Sequence, residues 1–99
     1  MSKNVQHSTN KRNEIYMRYK GRCAICGKDI DFGDFAIDHK KPLARGGSNE
    51  YSNLQATCDS CNHMKHYLTQ DEFMRKLWKV TIHNFPSILK TYLKGGAEL

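Results

Sequence analysis

The sequence predicts a small α+β domain, stapled by a four-cysteine zinc site and flanked by helices at both ends. Three observations carry that expectation. All four cysteines fall in two Cys-x-x-Cys pairs, Cys23/Cys26 and Cys58/Cys61. Short strand-like segments, separated by turn residues, fill the stretch between the pairs. Patterns of helical period lie before the first pair and after the second. The 99 residues make one domain. A chain this short buries only about 60–65% of its unfolded surface, so its core is marginal and a metal staple is expected. The organisation expected is a basic N-terminal helix over 1–22, a metal-clamped core over 23–66 and C-terminal helices over 67–99.

The first element is a helix over Ser8–Tyr19, with Ser8, Thr9 or Asn10 as its cap and Gly21 as its stop. Ile15, Tyr16 and Tyr19 form its apolar stripe. Arg18 and Arg22 belong to its basic surface, which is either a solvated face or an arm that contacts phosphates. After the first cysteine pair, "DIDFGDFAIDH" reads as a strand, a turn at Gly33-Asp34 and a second strand ending at Asp38-His39. "KKPLARGGSNEYS" is a loop by its Pro, Gly-Gly and Ser/Asn content. "NLQAT" is strand-like, and "CNHMKHYL" starts a helix. Thr69 with Glu72 three residues later is a capping box. Behind it Phe73, Met74, Leu77 and Trp78 share one helical face, read as core. Asn84-Phe85-Pro86 is expected to break that helix before a last short one, "SILKTYLKGG", and a frayed end.

Charge and cysteine usage narrow the chemistry. Lys plus Arg is 16 against 10 acidic residues, a formal charge of +6 that favours polyanions, nucleic acid first. The polar opening "MSKNVQHSTNKRNEIY" has no secretory apolar run, and no stretch approaches the ~18 apolar residues of a membrane span. A soluble, cytoplasmic protein is expected, and in that reducing compartment the cysteines read as Zn²⁺ ligands rather than disulfides. The alternative, a redox dithiol, has no βαβ context here. A plain zinc ribbon separates its pairs by about 15–20 residues. Here 31 residues lie between Cys26 and Cys58, so the zinc looks like a clamp on something else.

That something includes Asp38-His39 at a strand end, Asn53 fourteen positions after His39, and Asn62 directly after Cys61. Lys65 and His66 follow on the same helical face as Asn62. An imidazole that titrates near neutral pH makes His39 a natural base for hydrolysing a phosphodiester. In a regular strand Asp38 and His39 would face opposite ways. A twist at the strand end is expected to let both serve one phosphate.

The segments "CAICGK" and "IDHKKPLARGGSNEYSNLQATCDSCNHMKH", residues 22 to about 66, resemble the zinc-stapled branch of the HNH nucleases. The resemblance implies a ββα-metal (His-Me finger) core and a metal-dependent DNA endonuclease that leaves 5′-phosphate and 3′-hydroxyl ends. It implies His39 as general base, Asn53 as the residue that orients it through the loop's backbone, and Asp38 with Asn62 as ligands of Mg²⁺ or Mn²⁺. Asn62 stands where many members have histidine. His66 is either a third ligand or a solvent-facing side chain. Lys65 either contacts the scissile phosphate or is solvated, and Lys40, Lys41 and Arg45 are further candidates for DNA contact. Small proteins of this kind suggest restriction, phage DNA or mobile-element roles in a bacterial or phage-infected cell, with a protein partner as one source of specificity. The other functional reading is a non-catalytic zinc module that binds nucleic acid, or a partner-dependent subunit.

Overall fold

A computed structural model describes residues 7–95, and the frayed end expected beyond them lies outside that range. Helix α1 (Thr9–Arg18) starts where the Ser8 hydroxyl accepts the Lys11 amide proton at 3.1 Å, satisfying an otherwise orphaned donor. It ends as Lys20 and Gly21 turn to positive φ, and the Gly21 amide closes back on the Tyr16 carbonyl at 3.0 Å. Glycine adopts that conformation without the Cβ penalty.

Strand β1 (Ala36–His39) pairs antiparallel with β2 (Leu54–Thr57), with Asp38 opposite Gln55 and His39 opposite Leu54. Strand alternation puts Ala36, Asp38, Gln55 and Thr57 on one face, and Ile37, His39, Leu54 and Ala56 on the other. The second face carries the core. Ile15 of α1 joins Leu54, Ala56, Ile30, Phe35 and three of the cysteines there. Helix α2 (Asp59–Lys65) follows β2 directly and covers the first face, its Lys65 reaching Asp38. The order strand, strand, helix is the one the resemblance implies.

Three expectations are corrected. The hairpin over 29–39 does not form: outside β1, only an isolated bridge between Arg22 and Asp29 remains. The Ile30 amide donates instead to Gly21 at 2.8 Å, and its carbonyl accepts the Tyr16 hydroxyl at 2.7 Å. The Arg12 guanidinium stacks 4.2 Å over the Phe35 ring and donates to the Phe32 and Phe35 carbonyls. These tertiary contacts hold the segment as a turn.

The expected pair of C-terminal helices is one helix, α3 (Gln70–Gly95), which runs straight through Pro86. Its capping box forms as read: the Thr69 amide donates to Glu72 and the Glu72 amide to the Thr69 hydroxyl, at 3.0 and 3.2 Å. A proline inside a helix costs about 3 kcal/mol, yet the apolar stripe keeps its helical spacing across it.

Nor is that stripe core. Phe73 is buried, but Met74 is 37% and Trp78 65% exposed, because α3 leaves the body after its first turn. Among the described residues no helix is long and apolar enough to cross a membrane.

Candidate active site

The staple comes first, because it fixes everything else. The Sγ atoms of Cys23, Cys26, Cys58 and Cys61 all lie within 4.8 Å of one another, with Cys26 and Cys58 3.9 Å apart. A tetrahedron of thiolates around zinc, with Zn–S near 2.3 Å, has edges of about 3.8 Å. Backbone amides of Ile25 and Cys26 point at the Cys23 sulfur at 3.4 Å, and the Cys61 amide at that of Cys58 at 3.5 Å. Burial opposes charge on Cys23, yet the amides of Cys26, Cys58 and Ile25 outweigh it and bring the thiol down to about 6. Burial, then the three neighbouring sulfurs, push Cys61 up. A soft, tetrahedral set of four crowded thiols fits Zn²⁺.

The staple ties the residues before Ile30 to the end of β2, and so aims β1 at α2. Asp38 and His39 both belong to β1, paired opposite Gln55 and Leu54, so they alternate across the strand. Asp38 is 7% exposed and faces α2. Its Oδ2 accepts the Gln55 amide at 2.9 Å and lies 3.2 Å from the Lys65 Nζ. Lys65 is wholly buried and also donates to the His39 carbonyl at 2.8 Å. Lys65 is therefore neither solvated nor presented to a phosphate. Its ammonium neutralises Asp38, because a buried carboxylate without a partner would be costly.

His39 lies on the opposite face, beside the loop. Its Nε2 is 2.7 Å from the Asn49 Oδ1, and the Asn49 carbonyl accepts from Lys11 at 2.9 Å. The His7 ring lies 5.9 Å away. Burial first, then the charges of Lys11, His39 and Arg12, hold the His7 pKa below its usual value. Asn53 makes no hydrogen bond to His39. Its side chain accepts the Lys41 amide at 2.9 Å and donates to the Lys41 and Ser48 carbonyls at 3.0 and 2.8 Å, pinning the two ends of the loop together. Gly47 makes that approach possible: a Cβ there would sit 1.8 Å from the Lys41 carbonyl oxygen.

Asn62 lies on α2 three residues before Lys65, partly buried. His66 ends the helix at φ 51°, exposed, with its ring tilted by 56° against that of Tyr67 at 4.1 Å between centroids. Arg45 is engaged within the chain. It forms a forked ion pair with Glu72 and donates to the Tyr67 carbonyl at 3.3 Å, fastening the loop to the start of α3. That hydrogen bond holds the Glu72 carboxyl down to about 2. Arg18 donates to the Tyr51 carbonyl at 3.0 Å, and Arg22 stands 3.5 Å from Asp29 on the surface. Lys40 and Lys41 alone among the six expected contacts have no ion-pair or side-chain hydrogen-bond partner among the described residues.

Sequence reasoning missed Asn49, Gln55 and Gln70. The last accepts the second Gln55 hydrogen at 2.9 Å, while its own amide donates to the Lys40 carbonyl at 2.8 Å. Only the in-strand position of Gln55 opposite Asp38 offered a signal.

A zinc-stapled strand–strand–helix unit with Asp-His at its first strand end defines a nuclease-type core. The model of the HNH endonuclease family matches residues 23–78, and the chain belongs to that family. It is also similar, at 38% identity over 55 residues, to the CRISPR-associated endonuclease Cas9 of Corynebacterium diphtheriae. That match covers 54% of this chain and 5% of the relative, so the chain spans a small fraction of that protein's length.

Proposed function

We propose that this chain is a metal-dependent DNA endonuclease in which His39 is the general base. The observation that carries the reading is the pairing of His39 with Asn49. With the Asn49 Oδ1 as acceptor, Nε2 would carry the hydrogen and Nδ1 would keep the lone pair that a base needs. The imidazole takes a proton from water as the water oxygen bonds to phosphorus and the bond to the 3′-oxygen breaks. The products are a 5′-phosphate and a 3′-hydroxyl. Asn53 supports this by holding the loop that carries Asn49.

Asp38 and Asn62 are the residues that would hold Mg²⁺ or Mn²⁺. The donors are hard oxygens, as those ions prefer, and a carboxylate has about four lone-pair sites, of which Gln55 and Lys65 occupy two. When bound, such an ion supplies charge stabilisation to the leaving oxygen. Gln55 fixes the carboxylate's rotamer, and Gln70 fixes Gln55.

The test is cleavage of supercoiled plasmid by the zinc-loaded protein in Mg²⁺, Mn²⁺ or EDTA, with His39→Ala alongside. Nicking or linearisation that needs the divalent ion and is lost in the variant is expected, with the variant folded and binding DNA as before. Cleavage by His39→Ala at neutral pH would overturn the base assignment. A folded, inert wild type would turn the reading to a binding module or a subunit that needs its partner.

A further inference from the structure

We propose that Lys65 makes divalent-ion binding depend on the substrate: its ammonium already balances the Asp38 carboxylate, so the ion is held firmly only together with a phosphate. The inference rests on the reading of Asp38 and Asn62 as the ion's ligands and deepens it.

Counted by charge, the group around Asp38 is neutral. The carboxylate is matched by the Lys65 ammonium, and Asn62, Gln55 and Gln70 carry no charge. Lys40 and Lys41, next along the chain from His39, add only positive charge. Nor is Lys65 a loose counter-ion. Its Nζ lies 3.2 Å from the Asp38 Oδ2 and 3.4 Å from Oδ1, so it faces both oxygens. It also donates to the His39 carbonyl at 2.8 Å, and its side chain is wholly buried. Asn62 stands three residues earlier on α2, which sets the two on one helix face.

Any cation held between Asp38 and Asn62 therefore shares its carboxylate with a fixed positive charge. Asp38 is 7% exposed, so little water screens the two. At an effective dielectric near 20, like charges repel about four times as strongly as in water. Mg²⁺-type sites that work on phosphates use one or two carboxylates and draw the remaining negative charge from the phosphate itself. Here the one carboxylate is spoken for, and the phosphate becomes the main source of that charge. By linkage, nucleic acid tightens the ion by the same factor as the ion tightens nucleic acid.

The test is Mn²⁺ binding to the zinc-loaded chain, read from the electron paramagnetic resonance of the free ion, with and without a short duplex. The parent chain carries His39→Ala so that the duplex stays intact, and the binding counted is the part that Asp38→Asn removes. For the ion alone a dissociation constant weaker than about 1 mM is expected, tightened about tenfold or more by the duplex. Fluorescence anisotropy of the duplex should show Mn²⁺ tightening it by the same factor. Adding Lys65→Met should tighten Mn²⁺ about tenfold without duplex and leave correspondingly less for the duplex to add. Lys65→Arg, which keeps the charge, should bind the ion as weakly as the parent. Damage to a purely structural residue would weaken the ion, the opposite sign. A parent that binds Mn²⁺ equally well with and without duplex would overturn the proposal, whether or not any Lys65 variant folds. So would a folded Lys65→Met with an unchanged or weaker constant, or a Lys65→Arg as tight as Lys65→Met. If Asp38→Asn removes no Mn²⁺ even with duplex present, the ligand assignment itself fails, and the proposal with it.

Discussion

Replacing Lys65 by Met keeps most of the buried stem and removes only the ammonium, which isolates the charge pairing with Asp38. The ammonium lies 3.2 Å from the Asp38 Oδ2 and 2.8 Å from the His39 carbonyl, fully shielded from water. Removing one partner of a buried pair costs about 3–5 kcal/mol, because the other charge is left uncompensated. Gln55 still donates to Asp38, so the lower end, about 3 kcal/mol, is expected. For a domain of this size that lowers Tm by roughly 12–24 °C. It is also a large part of a total stability of about 5–15 kcal/mol. Urea unfolding at fixed free zinc, followed by circular dichroism, measures it, since zinc activity itself shifts stability. Adding Asp38→Asn should recover about half the loss, a coupling that only a direct interaction produces. A loss below about 1 kcal/mol, or single-variant effects that simply add, would refute the reasoning.

The staple, the loop and the base each give a further expectation. Cys58→Ser, or a strong chelator, should unfold the chain, because structural zinc contributes about 10–16 kcal/mol at pH 7, as much as the whole fold is worth; a zinc-free chain with an unchanged Tm would count against the clamp. Gly47→Ala should cost roughly 2 kcal/mol or more, since its Cβ would overlap the Lys41 carbonyl and force the loop open. Cleavage should fall with it, and wild-type stability would show that the loop does not need that approach. Asn49→Ala should slow cleavage about tenfold without weakening DNA binding, a typical fraction of what a positioned base contributes. Nitrogen-15 spectra of the His39 ring should then show mixed tautomers; one unchanged tautomer would mean that something other than Asn49 sets it.

What the sequence made legible was local. The helix cap, which fell to Ser8 of the three candidates, the Thr69/Glu72 box and the two cysteine pairs each depend on residues a few positions apart, and each formed. What it hid was created across distance. "DIDFGD" has the alternation of a strand, but its neighbours in space are Gly21, Tyr16 and Arg12 of the N-terminal segment, and they override the local pattern. Lysine reads as surface in any sequence. Lys65 is buried only because Asp38, 27 positions earlier, meets it there. Asn49 lay unnoticed among loop-forming residues, and only the folded loop brings it to His39. Trp78 and Met74 read as core because an apolar stripe predicts burial without saying against what.

The internal ties of the arginines have a consequence for binding at different ionic strengths. Each phosphate neutralised by a duplex-binding protein adds about −0.9 to the slope of log affinity against log salt, as counterions are released. Six free basic groups at the site would cost affinity about a thousandfold between 50 and 200 mM salt, whereas two cost only about tenfold. With Lys65 buried, Arg45 held by Glu72, Arg18 on Tyr51 and Arg22 near Asp29, the two are Lys40 and Lys41. With those two alone neutralising phosphates, binding of the proposed duplex substrate is expected to be weak and to change little with salt, and a slope of log affinity against log salt steeper than about −4 would show that the tied arginines also reach the backbone.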